Sequence, residues 1–381
     1  MPLRLARLDF LLLLAALGLM ACSIYTIGGA TEDDVSGNPD HYLVRQAVYA
    51  LVGLVIMLGV GMVDYSRLRA LSRWIYGGML VSIAAVMVLA TATRGSRRWI
   101  ETPFFNLQPS ELGKVLLVVA LSAFVVDRVR RLDERETTSR IVLLALLPAM
   151  LVIAQPDLGT GLVYLVICGG LLFVAGTRWT HFAALGTLAA AAAALVLVAA
   201  PAAGFEVLKP YQVARLTSFV NPTEDTQEQG YQLSQSMTAI GAGQRTGRGP
   251  DQATQTKLDF LPEHHTDFVF SVVGESFGFV GTGLVLALYT LLVWRGLRIM
   301  TMAKNLFGAL IAGGIVSMLI FQVFVNIGMT IGIMPITGVP LPLMSYGGSS
   351  VLVTFLALGL LESIHVQARE IAAAKGRDRF A

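Results

Sequence analysis

The chain has 381 residues, of which 55% are hydrophobic and 14% charged, and carries a net charge of +3, with a mean hydropathy of +0.68. That composition excludes a soluble globular protein. The basic residues sit in short stretches between apolar runs rather than in one stripe, which sets nucleic acid aside as a partner.

A hydrocarbon layer ~30 Å thick takes ~20 apolar residues to cross, and without water to satisfy the backbone only helices or a closed barrel can cross it. The first run, Phe10 to Gly29, is unbroken and too long for the core of a signal peptide. It has no clear cleavage site before Thr31, so it reads as an uncleaved helical span. Further runs follow at Val44 to Val63, Ile75 to Thr91, Leu112 to Val126, Ile141 to Ala154 and Leu158 to Gly176. The last four are Phe182 to Ala203, Phe268 to Val293, Leu306 to Ile331 and Ser350 to Ile364. The expected architecture is an all-α polytopic membrane protein of about ten transmembrane helices, forming a single integral membrane domain over residues 1–381. The fifth and last runs are short, so each is expected to borrow flanking residues or to break near a polar segment. Cys22 and Cys168 lie inside apolar runs and read as packing residues.

With the N-terminus in the cytoplasm, the inside loops and the tail (365–381) carry 18 Lys and Arg, against Arg45, Arg94, Arg97 and Arg98 in the opposite short loops. The positive-inside rule then puts both termini in the cytoplasm and makes the 204–267 segment an extracytoplasmic loop. Loops this long are usually functional, and apolar residues at intervals, such as Leu233, Met237 and Ile240, suggest short interfacial helices within it.

Polar groups gather by sequence at the outer ends of the spans. Gln108, Pro109, Ser110, Glu111 and Lys114 open the fourth helix. Glu111 and Lys114, three apart, share a helical face and can pair, either as a self-satisfying ion pair or as a functional one, since ionisable groups are costly at membrane depth. Asp157 in the joint between spans five and six is an N-cap or a functional acid. Asp267 sits where the long loop meets the eighth span, where partial desolvation favours a base; capping by Thr266 and Asp267 explains the same residues. Glu263, His264, His265 and Asp267 are too crowded for a structural zinc pattern. Segment 333–350, with three prolines and the Gly347-Gly348 pair, forbids an uninterrupted helix. It reads as re-entrant backbone lining a cavity, its N–H groups and the hydroxyls of Ser345, Tyr346, Ser349 and Ser350 able to hold a sugar or an anion.

Five stretches in order along the chain, Arg97-Arg98-Trp99-Ile100, Gln108-Pro109-Ser110-Glu111 with Lys114, Gln155 to Gly159, Leu261 to Phe268 and Met344 to Ser350, resemble the SEDS family (shape, elongation, division and sporulation). Segment Met334 to Ser345 is similar to the elongation branch rather than the division branch. Val273-Gly274-Glu275 stands where that family often has two acids, which weakens any role for Glu275.

The resemblance implies a peptidoglycan glycosyltransferase that polymerises lipid II, passing the glycan from undecaprenyl pyrophosphate to the 4-hydroxyl of the incoming GlcNAc. It implies Asp267 as the base of a single inverting displacement, with Lys114, Arg97, Arg98, Arg215 or a divalent cation such as Mg²⁺ or Mn²⁺ meeting the pyrophosphate, and no organic cofactor. Glu111 would position Lys114, Trp99 would pack on lipid or sugar, and Tyr231, Gln232 and Gln235 would line the cavity, with Asp157, His265, Thr266, Ser345, Tyr346, Gly347, Gly348 and Ser349 supporting. Implied partners are lipid II, membrane lipids, the elongation machinery and a class B penicillin-binding protein. The rival readings are a transporter that flips a lipid-linked precursor and a silent scaffold; no inverted repeat is evident for the first.

Overall fold

In a computed structural model of the protein, residues 7–32, 34, 37–89, 98–101, 106–202, 204, 213, 229–258 and 260–377 are described. Their helices follow the apolar runs: α1 Phe10–Ala30, α2 His41–Met62, α3 Leu68–Leu89, α4 Pro109–Asp127, α5 Arg135–Ala154, α6 Leu158–Val174 and α7 Trp179–Ala202. Then come α8 Gln229–Gly243, α9 Val269–Met302, α10 Leu306–Thr330 and α11 Gly348–Arg377. Nine of these are long and apolar enough to cross a membrane, and the 17-residue α6 is a shorter apolar helix beside them. Short polar connections between the spans force neighbours in sequence to pack antiparallel. The centre of the bundle is α4, α10 and α11, whose most apolar windows are 78%, 67% and 89% buried, whereas α7 buries none of its own window and meets the bundle near its start, where His181 bonds Thr138.

The short fifth run borrows its flank, as expected: α5 begins at Arg135, where Glu136 and Arg140 pair one helical turn apart at 2.5 Å. The third helix also starts earlier, from a single turn at Tyr65–Arg67 in which the Ser66 N–H is capped by Asp64. The short last run borrows its flanks as well. The segment from residue 365, expected to be a cytoplasmic tail, continues α11 as far as Arg377. Its polar residues are buried against neighbours: Ser363 donates to the Val63 carbonyl at 2.5 Å, Gln367 bonds Ser363 and Lys304, and Glu362 accepts the N–H of Asp9, which itself pairs with Arg295.

The eighth span also differs from expectation. α9 extends to Met302 and is interrupted at Gly278, where φ is 62° and ψ is −155°. A break inside a span frees backbone groups that hydrocarbon cannot satisfy. Here the preceding loop supplies their partners: Phe279 and Val280 donate to the carbonyls of Gln244 and Arg245 at 2.9 and 3.1 Å, and Glu275 and Ser276 accept from Arg248 and Gly249 at 2.9 and 3.0 Å. The carboxylate of Glu275, fully buried, takes the N–H of Gln255 and both the N–H and hydroxyl of Thr256. Glu275 is thus the anchor of the long loop, a role the sequence did not suggest.

A Cβ at Gly278 would lie 2.4 Å from the Gly247 nitrogen, and its backbone conformation is one that essentially only glycine adopts, at a cost of roughly 1–3 kcal/mol for other residues. Gly278→Ala is therefore expected to lower the melting temperature in detergent. Gly59→Ala, at a site with nothing within 4 Å, should leave it unchanged. Equal melting of the two variants would refute the coupling of loop to break.

Candidate active site

Between α10 and α11 the chain runs without regular structure and is mostly buried from Ile336 to Ser345. Irregular backbone at that depth needs donors, and polar side chains from four spans provide them. Ser23 of α1 donates to the Met344 carbonyl at 2.7 Å; Gln46 of α2 donates to Ser23 and to the Ser345 carbonyl. Tyr289 of α9 donates to the Pro342 carbonyl at 2.6 Å, and Asn326 of α10 donates to the carbonyls of Val339 and Asp267 at 2.8 and 3.0 Å. The sequence reading missed all four. Their only signal is a single polar side chain inside an apolar span, which also fits helix-to-helix hydrogen bonding elsewhere in a bundle.

This segment docks on the residues that lead into α9. Ser345 donates its hydroxyl to the Thr266 carbonyl at 2.6 Å and accepts the Leu341 N–H, while the Tyr346 N–H donates to the His265 carbonyl at 2.8 Å. The partly buried Asp267 carboxylate faces Gly338, where a Cβ would lie 3.5 Å from Oδ2. The N-cap of α9 is Phe268, a residue with no side-chain acceptor of its own. The rings of His265, Tyr42 and Tyr346 pack together, with centroids 4.9 to 5.7 Å apart. Burial, with a smaller contribution from Tyr49 and partial relief from Arg45, pushes the Tyr346 phenol up to about 12, so it stays a neutral hydroxyl.

A second wall comes from α4, α6 and the start of α11. Asp157 caps α6 through the Thr160 N–H at 3.1 Å, as its capping reading requires, and its other oxygen accepts Gln108 Nε2 at 3.0 Å. The Gln108 N–H donates to Ser349, whose hydroxyl donates to the Asn106 carbonyl. Asn106 belongs to a two-residue antiparallel pair in which Ile100, next to the partly buried Trp99, faces Leu107. Gly159 closes the gap to the irregular segment, since a Cβ there would lie 2.7 Å from the Thr337 carbonyl oxygen. Asp157, Ser349, Thr337, Gly338 and Asp267 therefore belong to one end of the bundle.

Glu111 and Lys114 form the expected i,i+3 pair at 2.7 Å, with side chains 4% and 2% exposed. The hydroxyl of Tyr164 braces the same turn by donating to the Ser110 carbonyl at 2.8 Å, against Gly113. Arg98 takes a different role from the one expected. Its guanidinium donates to the carbonyls of Gln155 and Pro156, holding the turn between α5 and α6. Arg97 and Arg215 lie outside the described residues. Tyr231, Gln232 and Gln235 are partly buried on α8, which reaches the start of the irregular segment where Met237 and Leu233 meet Gly332. Gly347 and Gly348 lead the chain into α11. Of the crowded acids and histidines before α9, Glu263 accepts the Thr266 hydroxyl, and the histidines group with Asp34 of the α1–α2 connection instead. Two imidazoles and a carboxylate suit a borderline ion better than an oxygen-seeking Mg²⁺ or Mn²⁺.

Residues 5–370 match the family of cell cycle proteins typified by FtsW, RodA and SpoVE. The chain is 37% identical to a probable peptidoglycan glycosyltransferase FtsW of Alkalilimnicola ehrlichii, covering 98% of this chain and 92% of that one. It is 36% identical to the peptidoglycan glycosyltransferase MrdB of Escherichia coli over 96% of this chain and 95% of the other. Among solved structures, it is similar to a chain from a peptidoglycan synthase complex described as coordinating polymerization and crosslinking, with a TM-score of 0.78, 32% identity, and coverage of 95% and 98%. The rod shape determining protein RodA of Thermus thermophilus superposes with a TM-score of 0.66 at 29% identity, covering 94% of this chain and 96% of that one.

Proposed function

The chain belongs to the FtsW, RodA and SpoVE family of membrane-embedded peptidoglycan glycosyltransferases, and from that premise we propose that it polymerises lipid II by a single inverting displacement at Asp267. The observation that carries this reading is the setting of Asp267: a partly buried carboxylate against Gly338 of the irregular segment, with its backbone fixed by Asn326. A carboxylate so held can take the proton from the 4-hydroxyl of an incoming GlcNAc as that oxygen attacks the α-linked anomeric carbon of the donor. The bond to undecaprenyl pyrophosphate breaks, a β-1,4 linkage forms, and the pyrophosphate leaves with its own negative charge. No second carboxylate nucleophile is needed.

In this reading Lys114 faces the charge on the leaving pyrophosphate, with Glu111 setting its position. The charge asymmetry of the loops supports cytoplasmic termini and an extracytoplasmic site, and the wording of Met334 to Ser345 supports a role in cell elongation. The partner we propose is a class B penicillin-binding protein that crosslinks the new strands. An exposed apolar groove between α9 and α10, lined by Leu286, Trp294, Leu297, Ile320, Phe324 and Ile333, offers its membrane helix a seat.

The test is glycan polymerisation from purified lipid II by the purified protein, with and without that partner. Polymer that requires this protein supports the reading. If none forms in either mixture while the protein flips lipid II across liposomes, a transporter takes its place.

A further inference from the structure

On the end of the bundle that carries Asp267, three ligand-bearing side chains form a cluster of their own. Asp34 lies in the connection between α1 and α2, and His264 and His265 lie in the segment leading into α9. His264 Nε2 is 3.4 Å and His265 Nδ1 3.9 Å from the same oxygen, Asp34 Oδ2, and the three ligand atoms lie within 4.8 Å of one another. Bonds of about 2.0–2.1 Å in a tetrahedral site put ligand atoms roughly 3.4 Å apart, so one edge already has that length and small rotations bring in the others.

The geometry around His264 is that of an oriented ligand. The residue is 4% exposed, and its Nδ1 lies 3.2 Å from the Leu261 carbonyl oxygen. A carbonyl only accepts, so Nδ1 is the donor in that contact, and Nε2 is the ring nitrogen turned toward Asp34. Among the described residues that nitrogen has no hydrogen-bond partner. Its 3.4 Å approach to a carboxylate oxygen is longer than the ~2.7–2.9 Å of a charge-assisted hydrogen bond. An imidazole braced through its other nitrogen by a backbone carbonyl is also how proteins orient a metal-ligating histidine.

The geometry points to a binding site for a divalent transition cation of the zinc class, held by Asp34, His264 and His265. Two imidazoles and a carboxylate favour such an ion over magnesium, and three protein ligands leave a fourth position for water. The ion ties the α1–α2 connection to the segment that holds Asp267, two residues beyond His265. It also fixes His265, whose carbonyl accepts the Tyr346 N–H. The site stands whether or not Asp267 is the base.

Protein without a polyhistidine tag, purified in detergent and stripped with a chelator, is titrated with Zn²⁺ by calorimetry, and its bound metal is counted by atomic emission. About one ion per chain is expected, undisturbed by excess Mg²⁺, with His264→Gln and Asp34→Asn each weakening binding at least ~tenfold. No saturable binding by the wild type overturns the proposal, as does wild-type affinity in a folded His264→Gln. If His264→Gln does not fold, Asp34→Asn in the surface connection decides the matter by the same measure. The readout is ion content rather than polymer, so a failed assignment of Asp267 leaves this result standing.

Discussion

Asp267→Asn is expected to lower glycan polymerisation by about 10²–10⁴-fold, the usual contribution of a positioned general base, while the protein folds and melts as the wild type does. The expectation of intact folding comes from the structure. Residue 267 is held at its backbone: its carbonyl accepts from Asn326 and its N–H donates to the Glu263 carbonyl at 3.2 Å. An amide has the size of the carboxylate and meets Gly338 with the same shape. Polymer yield is read from purified lipid II with the partner present, beside a melting curve for each protein. A folded Asp267→Asn that polymerises within a factor of ten of wild type would exclude Asp267 as the base.

Lys114→Met is expected to be the most destabilising single change at the site. It leaves the Glu111 carboxylate, now 2.7 Å from its ammonium partner and 4% exposed, buried and uncompensated, which costs about 3–5 kcal/mol. Replacing both members with Glu111→Gln and Lys114→Met removes the orphaned charge and is expected to restore most of the melting temperature, since paired buried ions are often no better than neutral groups of similar volume. The double variant separates the two roles open for this pair. If Lys114 serves the pyrophosphate, the refolded double variant stays inactive. If polymerisation returns together with stability, the pair is structural and the leaving group finds its cation elsewhere. A double-mutant cycle on melting and on rate gives both answers from the same four proteins.

The spans were legible because hydrocarbon imposes one rule on every crossing residue, and Leu306 to Ile331 could hardly be anything else. The Glu111–Lys114 pair was legible because three residues along a helix fixes a shared face. What stayed hidden depended on partners distant in sequence. Nothing around Phe277, Gly278 and Phe279 says which of several glycines interrupts the span, because the break is tolerated only where residues 244–249 supply its hydrogen bonds. His365 looks like the start of a solvated tail, yet it is 1% exposed against Asp9. Asp34 was silent for the same reason, since only the fold sets it beside His264. Arg98 misled because a basic residue near an anionic substrate is an attractive ligand, whereas its geometry makes it a clamp on two carbonyls.

Residues 244–249 precede Gly278 in the chain, so the ribosome delivers the loop before the span whose break it completes. When the eighth span reaches the insertion machinery, the strand that will receive Phe279 and Val280 and donate to Glu275 and Ser276 has already been made. In the opposite order, four backbone groups would meet lipid unpaired at several kcal/mol each. Vectorial synthesis thus settles a pairing problem that refolding from a denatured state has to solve by search, and spontaneous renaturation should stall at this joint.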